Sequence, residues 1–181
     1  MLAPMIRNRS SANLPVPGVG LGKIVVLGVG NVILSDEGVG VRAIERLVAE
    51  YDLPPGVEVI DGGTASMEML EDLENLDGLI VVDAVFAHQP EGEVVKLVGE
   101  QVPAFFRRKL SPHQIGISDV LASLEFVGRA PRQMVVCGVK PVSLELGLEL
   151  TPTVAARIPD LVALVVESLT EMGAAPSRKV A

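Results

Sequence analysis

Lys23 to Gly40 reads "KIVVLGVGNVILSDEGVG", and this stretch decides the fold class. Residues 23–29 form an almost unbroken aliphatic run, the pattern of a strand covered on both faces. Gly28 and Gly30 permit a tight turn, and Val41, Ile44, Leu47, Val48 and Tyr51 then recur at helical spacing over residues 38–51. Strand, tight turn and helix together make the opening unit of an α/β domain. The turn is a poor nucleotide loop. A dinucleotide fingerprint would need glycine at Ile33, and no Gly-Lys-Ser/Thr follows. It presents Asn31, Asp36 and Glu37 instead. Carboxylates at a helix start commonly cap it or complement its dipole, so the motif alone leaves capping and a ligand role both open.

The same alternation continues outward. Strands are expected at residues 57–60, 78–85, 92–98 and 133–139. A helix with Thr64 or Ser66 as its cap carries Met69, Leu73 and Leu76, and another carries Ile117, Val120, Leu124 and Val127. Thr151-Pro152 opens a last helical region with Val154, Ile158, Leu161, Val165 and Leu169 on one stripe; Pro159 within it means either a kink or a late start. The order implies a single α/β domain with a largely parallel, twisted sheet of about five strands, flanked by helices on both faces. Its expected limits are 23–172, with 1–22 a flexible N-terminal extension and 173–181 a loose C-terminal tail.

Composition narrows the function. Of 181 residues 49% are hydrophobic but only 3% aromatic, so Val, Leu, Ile and Ala must build the core. A net charge of −8 argues against nucleic acid or an anionic membrane as partner. The single cysteine, Cys137 in "MVVCGV", excludes an internal disulfide and a Cys-based zinc site; it reads as a small buried residue in a protein of the reducing cytoplasm. No stretch approaches the ~20 apolar residues of a membrane span, and residues 1–22 lack the apolar core of a signal peptide.

Parallel sheets bind ligands beyond the carboxyl ends of their strands, where Gly28–Asn31, Asp61 and Asp83 fall. Asp83 interrupts the apolar run "GLIVVDAV", and a buried charge is costly unless paired, hydrogen-bonded or metal-bound. Asp61 precedes Gly62-Gly63 and reads equally well as a turn brace. His88, in "FAHQPEG", reads as a surface residue, and His113, in "SPHQIG", as either a packing residue or a metal ligand at a helix start. Glu37, Asp83 and His113 would make an oxygen, oxygen, nitrogen set suited to zinc or nickel with positions left open. Their spacing does not single them out. No Ser/His/Asp order or nucleophile elbow is legible.

Taken in register, "LGVGNVILSDEGVG", "DGGTASMEML", "VVDAV", "SPHQIGISDVL" and "GLELTPTV" resemble the nickel-iron hydrogenase maturation proteases, from about Lys23 to Met172. The resemblance implies an endopeptidase that removes the C-terminal extension of the hydrogenase large-subunit precursor after nickel insertion. It implies that Glu37, Asp83 and His113 are the metal-binding and catalytic residues and that Asp61 serves substrate selection. The nickel would be supplied by the precursor and would be the recognition element. Two chemical readings stay open: a nearby carboxylate, Asp36 among the candidates, shuttles a proton, or the three ligands only recognise nickel and hydrolysis relies on other groups. A non-cleaving nickel-binding chaperone or checkpoint protein for the same precursor, and a small nucleotide-binding domain, are the competing readings.

Overall fold

In the computed structural model, which describes residues 22–64, 67–86, 89–107 and 112–180 (backbone alone at 107 and 112–115), the five aliphatic runs form one sheet. The strands are β1 (Ile24–Val29), β2 (Tyr51–Asp52), β3 (Val57–Gly63), β4 (Gly78–Ala84), β5 (Val94–Val98), β6 (Met134–Val139) and β7 (Ser177–Arg178). The helices are α1 (Val39–Glu50), α2 (Leu70–Leu73), α3 (Gln101–Arg107), α4 (Pro112–Phe126), α5 (Pro152–Ala155) and α6 (Ile158–Glu171), with 3₁₀ turns at Ser35–Gly38 and Met67–Met69. The sheet order is β3-β1-β4-β6-β5, parallel except for β5, which runs antiparallel to β6.

Successive strand residues point to opposite faces, and here both faces are dry, which explains the unbroken aliphatic runs. Ile24, Val26, Ile80, Val82, Cys137 and Val139 pack with residues of α1 and α6. Val25, Leu27, Leu79, Val81 and Val136 face the other way, toward residues of α2, α3 and α4. Each fully buried leucine or valine contributes about 1.5–3 kcal/mol, so the sheet is held from both sides by aliphatic contact. Among the described residues no helix is long and apolar enough to cross a membrane.

Three local readings change and one open choice is resolved. The expected second helix shrinks to a 3₁₀ turn and the single turn of α2, with Met69 at its N-cap, so Thr64 does not cap it; Ser66 lies outside the described residues. Of the two readings of Pro159 the late start holds: it lies in the first turn of α6, which begins at Ile158, where a missing N–H is harmless. Tyr51 leaves the helical stripe to pair with Arg178, and Val48 and Val127 are exposed. Residues 173–180 are not loose. Ala174 is buried, β7 pairs with β2, and Lys179 donates from its backbone N–H to the Glu50 carbonyl at 2.8 Å and from Nζ to the Val48 carbonyl at 2.7 Å. The last carbonyls of α1 need partners, and this returning segment supplies them. The N-terminal extension expected at 1–22 lies outside the described residues apart from Gly22.

Cys137 is fully buried, with Sγ 3.6 Å from Ser168 Oγ, and burial pushes its thiol up to about 11. The thiolate is the reactive form. Iodoacetamide at pH 8 is therefore expected to leave Cys137 unmodified in the native protein and to alkylate it only under unfolding conditions. Stoichiometric labelling of the native protein, read by intact mass, would contradict this packing.

Candidate functional site at the carboxyl edge of the sheet

The connections leaving β1 and β4 run to opposite sides of the sheet, β1 toward β3 and β4 toward β6 and β5. Adjacent parallel strands with diverging connections leave a crevice at their carboxyl ends. Glu37 lies in the 3₁₀ turn that follows β1, and Asp83 is the penultimate residue of β4. Both are buried, Glu37 at 5% exposure and Asp83 at 0%. Gly28 is in register with Val82, so Asp83 stands one residue beyond the level of Gly28.

Glycines bring the turn this close. A Cβ on Gly40 would lie 2.0 Å from the Val82 carbonyl oxygen and 2.3 Å from that of Val29. The start of α1 therefore rests directly on the ends of β1 and β4. Gly30 adopts φ 129°, open to glycine, and a Cβ there would lie 1.8 Å from the Glu37 carbonyl oxygen. The Gly-x-Gly turn thus seats a carboxylate-bearing turn against the sheet edge.

Asp36 has a role that capping does not describe. It makes no cap hydrogen bond and is fully buried. Its Oδ2 accepts from the Val142 and Ser143 N–H groups, each at 3.0 Å, and from Thr151 Oγ1 at 2.9 Å; its Oδ1 accepts from the Thr151 N–H at 2.7 Å. These donors lie 106 to 115 residues along the chain. The clasp extends outward. The Ser35 N–H donates to the Gly147 carbonyl at 2.9 Å, the Gly147 N–H to the Ile33 carbonyl at 3.0 Å, and Ser35 Oγ to the Glu145 carbonyl at 3.0 Å. Ser35 holds φ 46°, an uncommon value for a residue with a Cβ. The sequence reading gave residues 141–150 no structural role beyond the motif "GLELTPTV"; the available signal was the alternation of apolar and small or acidic residues in "PVSLELGLEL". Three of the four donors fall on Oδ2 and one on Oδ1, so the carboxylate is committed to holding the 141–151 loop.

Asp83 Oδ1 accepts from the Ala84 N–H at 2.7 Å. By strand alternation Asp83 shares the face of Leu79 and Val81, the face covered by α4. That helix runs from the carboxyl edge back to the amino edge. The Arg129 carbonyl just beyond its end accepts from Asn75 N–H, immediately before β4. Thirteen residues from Phe126 back to His113 rise roughly 20 Å, about the length of seven-residue β4. The topology thus sets the first turn of α4, which carries His113, level with the end of β4. His88 lies outside the described residues. Among the described side chains no group of three His, Cys, Asp or Glu could hold a metal, and that of His113 is not one of them. Asp61, at the same edge in register with Gly28, lies two strands from β4. It is exposed, and its Oδ1 accepts from the Gly63 N–H at 2.9 Å, so it braces the turn.

Comparison with known proteins accords with this geometry. The family model described as hydrogenase maturation protease matches residues 41–168, a span that holds Asp61, Asp83 and His113 and begins just after Glu37. The chain belongs to the hydrogenase maturation protease family. The hydrogenase 2 maturation protease of Escherichia coli K12 is 47% identical over 152 residues, covering 83% of this chain and 93% of that protein. The hydrogenase expression/formation protein HupD of Rhodobacter capsulatus is 40% identical over 153 residues, covering 83% of this chain and 73% of that one. The solved structure of the hydrogenase maturating endopeptidase HybD from Escherichia coli superimposes with a TM-score of 0.84 at 46% identity, covering 87% of this chain and 98% of the other. Family membership makes the chain a hydrolase of the endopeptidase kind.

Asp36→Ala would leave three part-buried N–H groups and the Thr151 hydroxyl without their acceptor. It is expected to destabilise this maturation protease by at least about 3 kcal/mol in urea unfolding, and to speed amide exchange at Val142, Ser143 and Thr151 more than in the sheet. Uniform exchange rates with unchanged stability would show that the clasp does not hold the loop.

Proposed function

We propose that the protein removes the C-terminal extension of a nickel-iron hydrogenase large-subunit precursor, and that it does so after nickel insertion by recognising the bound nickel. The observation that carries this is the pair of buried carboxylates, Glu37 and Asp83, on either side of the crevice between β1 and β4. The first turn of α4 adds His113 at the same edge. Two oxygens and one imidazole nitrogen fit nickel with positions left for other ligands. The nickel belongs to the substrate, and a precursor lacking it lacks the contact that anchors it, so specificity comes from a coordination bond.

The bound metal would supply Lewis-acid polarisation of the scissile carbonyl. The chain supplies the rest. Glu37 and Asp83, fixed by the sheet edge, orient the metal-bearing segment of the precursor and keep it from bulk water. A site carboxylate oxygen not engaged in holding the substrate takes the proton of the attacking water; Asp36, turned into the clasp by its four donors, is given no part in that step. Asp61, exposed at the same edge, meets the precursor and selects among them.

Glu37→Gln, Asp83→Asn and His113→Ala are each expected to slow cleavage of nickel-loaded precursor on the order of 100-fold or more, with circular dichroism spectra like the wild type. Near wild-type cleavage by any two of them would sink the shared site. Wild-type protein that binds nickel-loaded precursor yet leaves its C-terminus intact would make the chain a checkpoint protein instead. Asp61→Ala is expected to change which precursor is accepted while the fold persists; unfolding in its place would reduce Asp61 to a turn brace.

A further inference from the structure

Residues 141–150 carry a feature that peptide hydrolysis does not by itself require. The segment is irregular, with bends and a single bridge from Gly147 to Leu34. A Cβ on Gly147 would meet Ser35 Oγ at 2.8 Å, so that position faces the clasp, while its neighbours Leu146 and Leu148 are open to solvent. Leu146 is 82% exposed and Leu148 64%, and Val142, Leu144 and Ile33 are exposed beside them. Four exposed aliphatic side chains on one short segment, with Ile33 tied to it by the Gly147 N–H, form an open ridge that Ile33 joins to the turn holding Glu37. Scattered exposed leucines need no explanation, but a continuous row beside a site marks a binding surface.

The charge around the ridge indicates what binds. Glu145 and Glu149 are exposed between the leucines, and among the described residues neither makes an ion pair. Leu148 and Glu149 also line a cleft of about 240 Å³ with Arg42 and Arg46. Those two arginines are already spanned by Glu45 at 3.2 Å and Glu50 at 2.7 Å on their own helix. The uncompensated charge is thus negative.

Building on the function proposed above, we infer that the ridge of Ile33, Val142, Leu144, Leu146 and Leu148 receives an extended segment of the precursor that carries aliphatic side chains and at least one lysine or arginine. The segment lies along the ridge, its apolar residues against the leucines and its cation beside Glu145 or Glu149. Asp36 acts here as a positioning residue. One carboxylate fixes both ends of the ridge and the turn bearing Glu37, so the docked segment and the site keep a set separation.

The test measures KM and kcat for nickel-loaded large-subunit precursor with wild type, Leu146→Ser/Leu148→Ser and Glu145→Lys/Glu149→Lys. Phe126→Ser is the control: Phe126 is 92% exposed at the opposite end of α4. Both double variants are expected to raise KM at least about tenfold with kcat within about twofold, and Phe126→Ser to change neither. Unchanged KM in the leucine variant overturns the ridge. Calorimetry with the same precursor separates this outcome from failure of the protease reading. If the wild type binds without cutting, weaker binding by both double variants upholds the ridge although the protease reading fails, and equal binding overturns it. A wild type that is dimeric by light scattering and monomeric as Leu146→Ser/Leu148→Ser would assign the ridge to a second copy and also overturn the proposal.

Discussion

The buried carboxylate of Asp36 is the constraint on which the carboxyl edge of this molecule depends. A fully buried charge is tolerated only when hydrogen bonds replace the lost water, and Asp36 draws its four from one distant segment. The loop between β6 and α5 has apolar anchorage only at its ends, in Pro141 and Leu150, while Val142, Leu144, Leu146 and Leu148 are exposed. Charge-assisted hydrogen bonds are stronger than neutral ones, so the carboxylate decides where this loop rests. It also fixes Thr151, whose Oγ1 accepts from the Val154 N–H at 3.4 Å and so caps α5.

Two neighbouring carboxylates consequently divide their work. Successive residues of a 3₁₀ turn project roughly 120° apart, so Asp36 can face the 141–151 loop without directing Glu37 there. The clasp holds the turn from outside, while Gly30 and Gly40 hold it from beneath against the ends of β1 and β4. Glu37 is left at the crevice with little freedom, and Asp83 is fixed by the strand that carries it. A rigid frame of this kind suits an endopeptidase site that must place a peptide, because preorganised groups need no rearrangement when the substrate arrives.

The sheet was legible because its strands are covered on both faces, and a run such as "GLIVVDAV" admits little else. Helices with a full stripe were legible too; α1 and α6 keep most of the positions their spacing implies. What escaped depended on partners far along the chain. Tyr51 fits a helical stripe until β7 offers it a strand partner, and the ending "GAAPSRKVA" looks loose until α1 presents unpaired carbonyls. Asp36 resembled a cap because capping is a local role, and nothing within several residues reveals donors at Val142, Ser143 and Thr151. Asp83 could be singled out because a charge at the end of an apolar strand violates a local rule, which is where function most often shows in a sequence. His113 was placed by its motif, and the topology sets its helix turn at the same edge as Asp83.

The central claim is that this maturation protease cuts its precursor only when nickel marks it. The direct measurement is the intact mass of a purified large-subunit precursor after incubation with the protein, in nickel-loaded and metal-free form. The account predicts loss of one discrete C-terminal fragment from the loaded precursor and no change in the metal-free one. Equal cleavage of both forms would contradict nickel recognition, and an unaltered mass in both would contradict the protease itself.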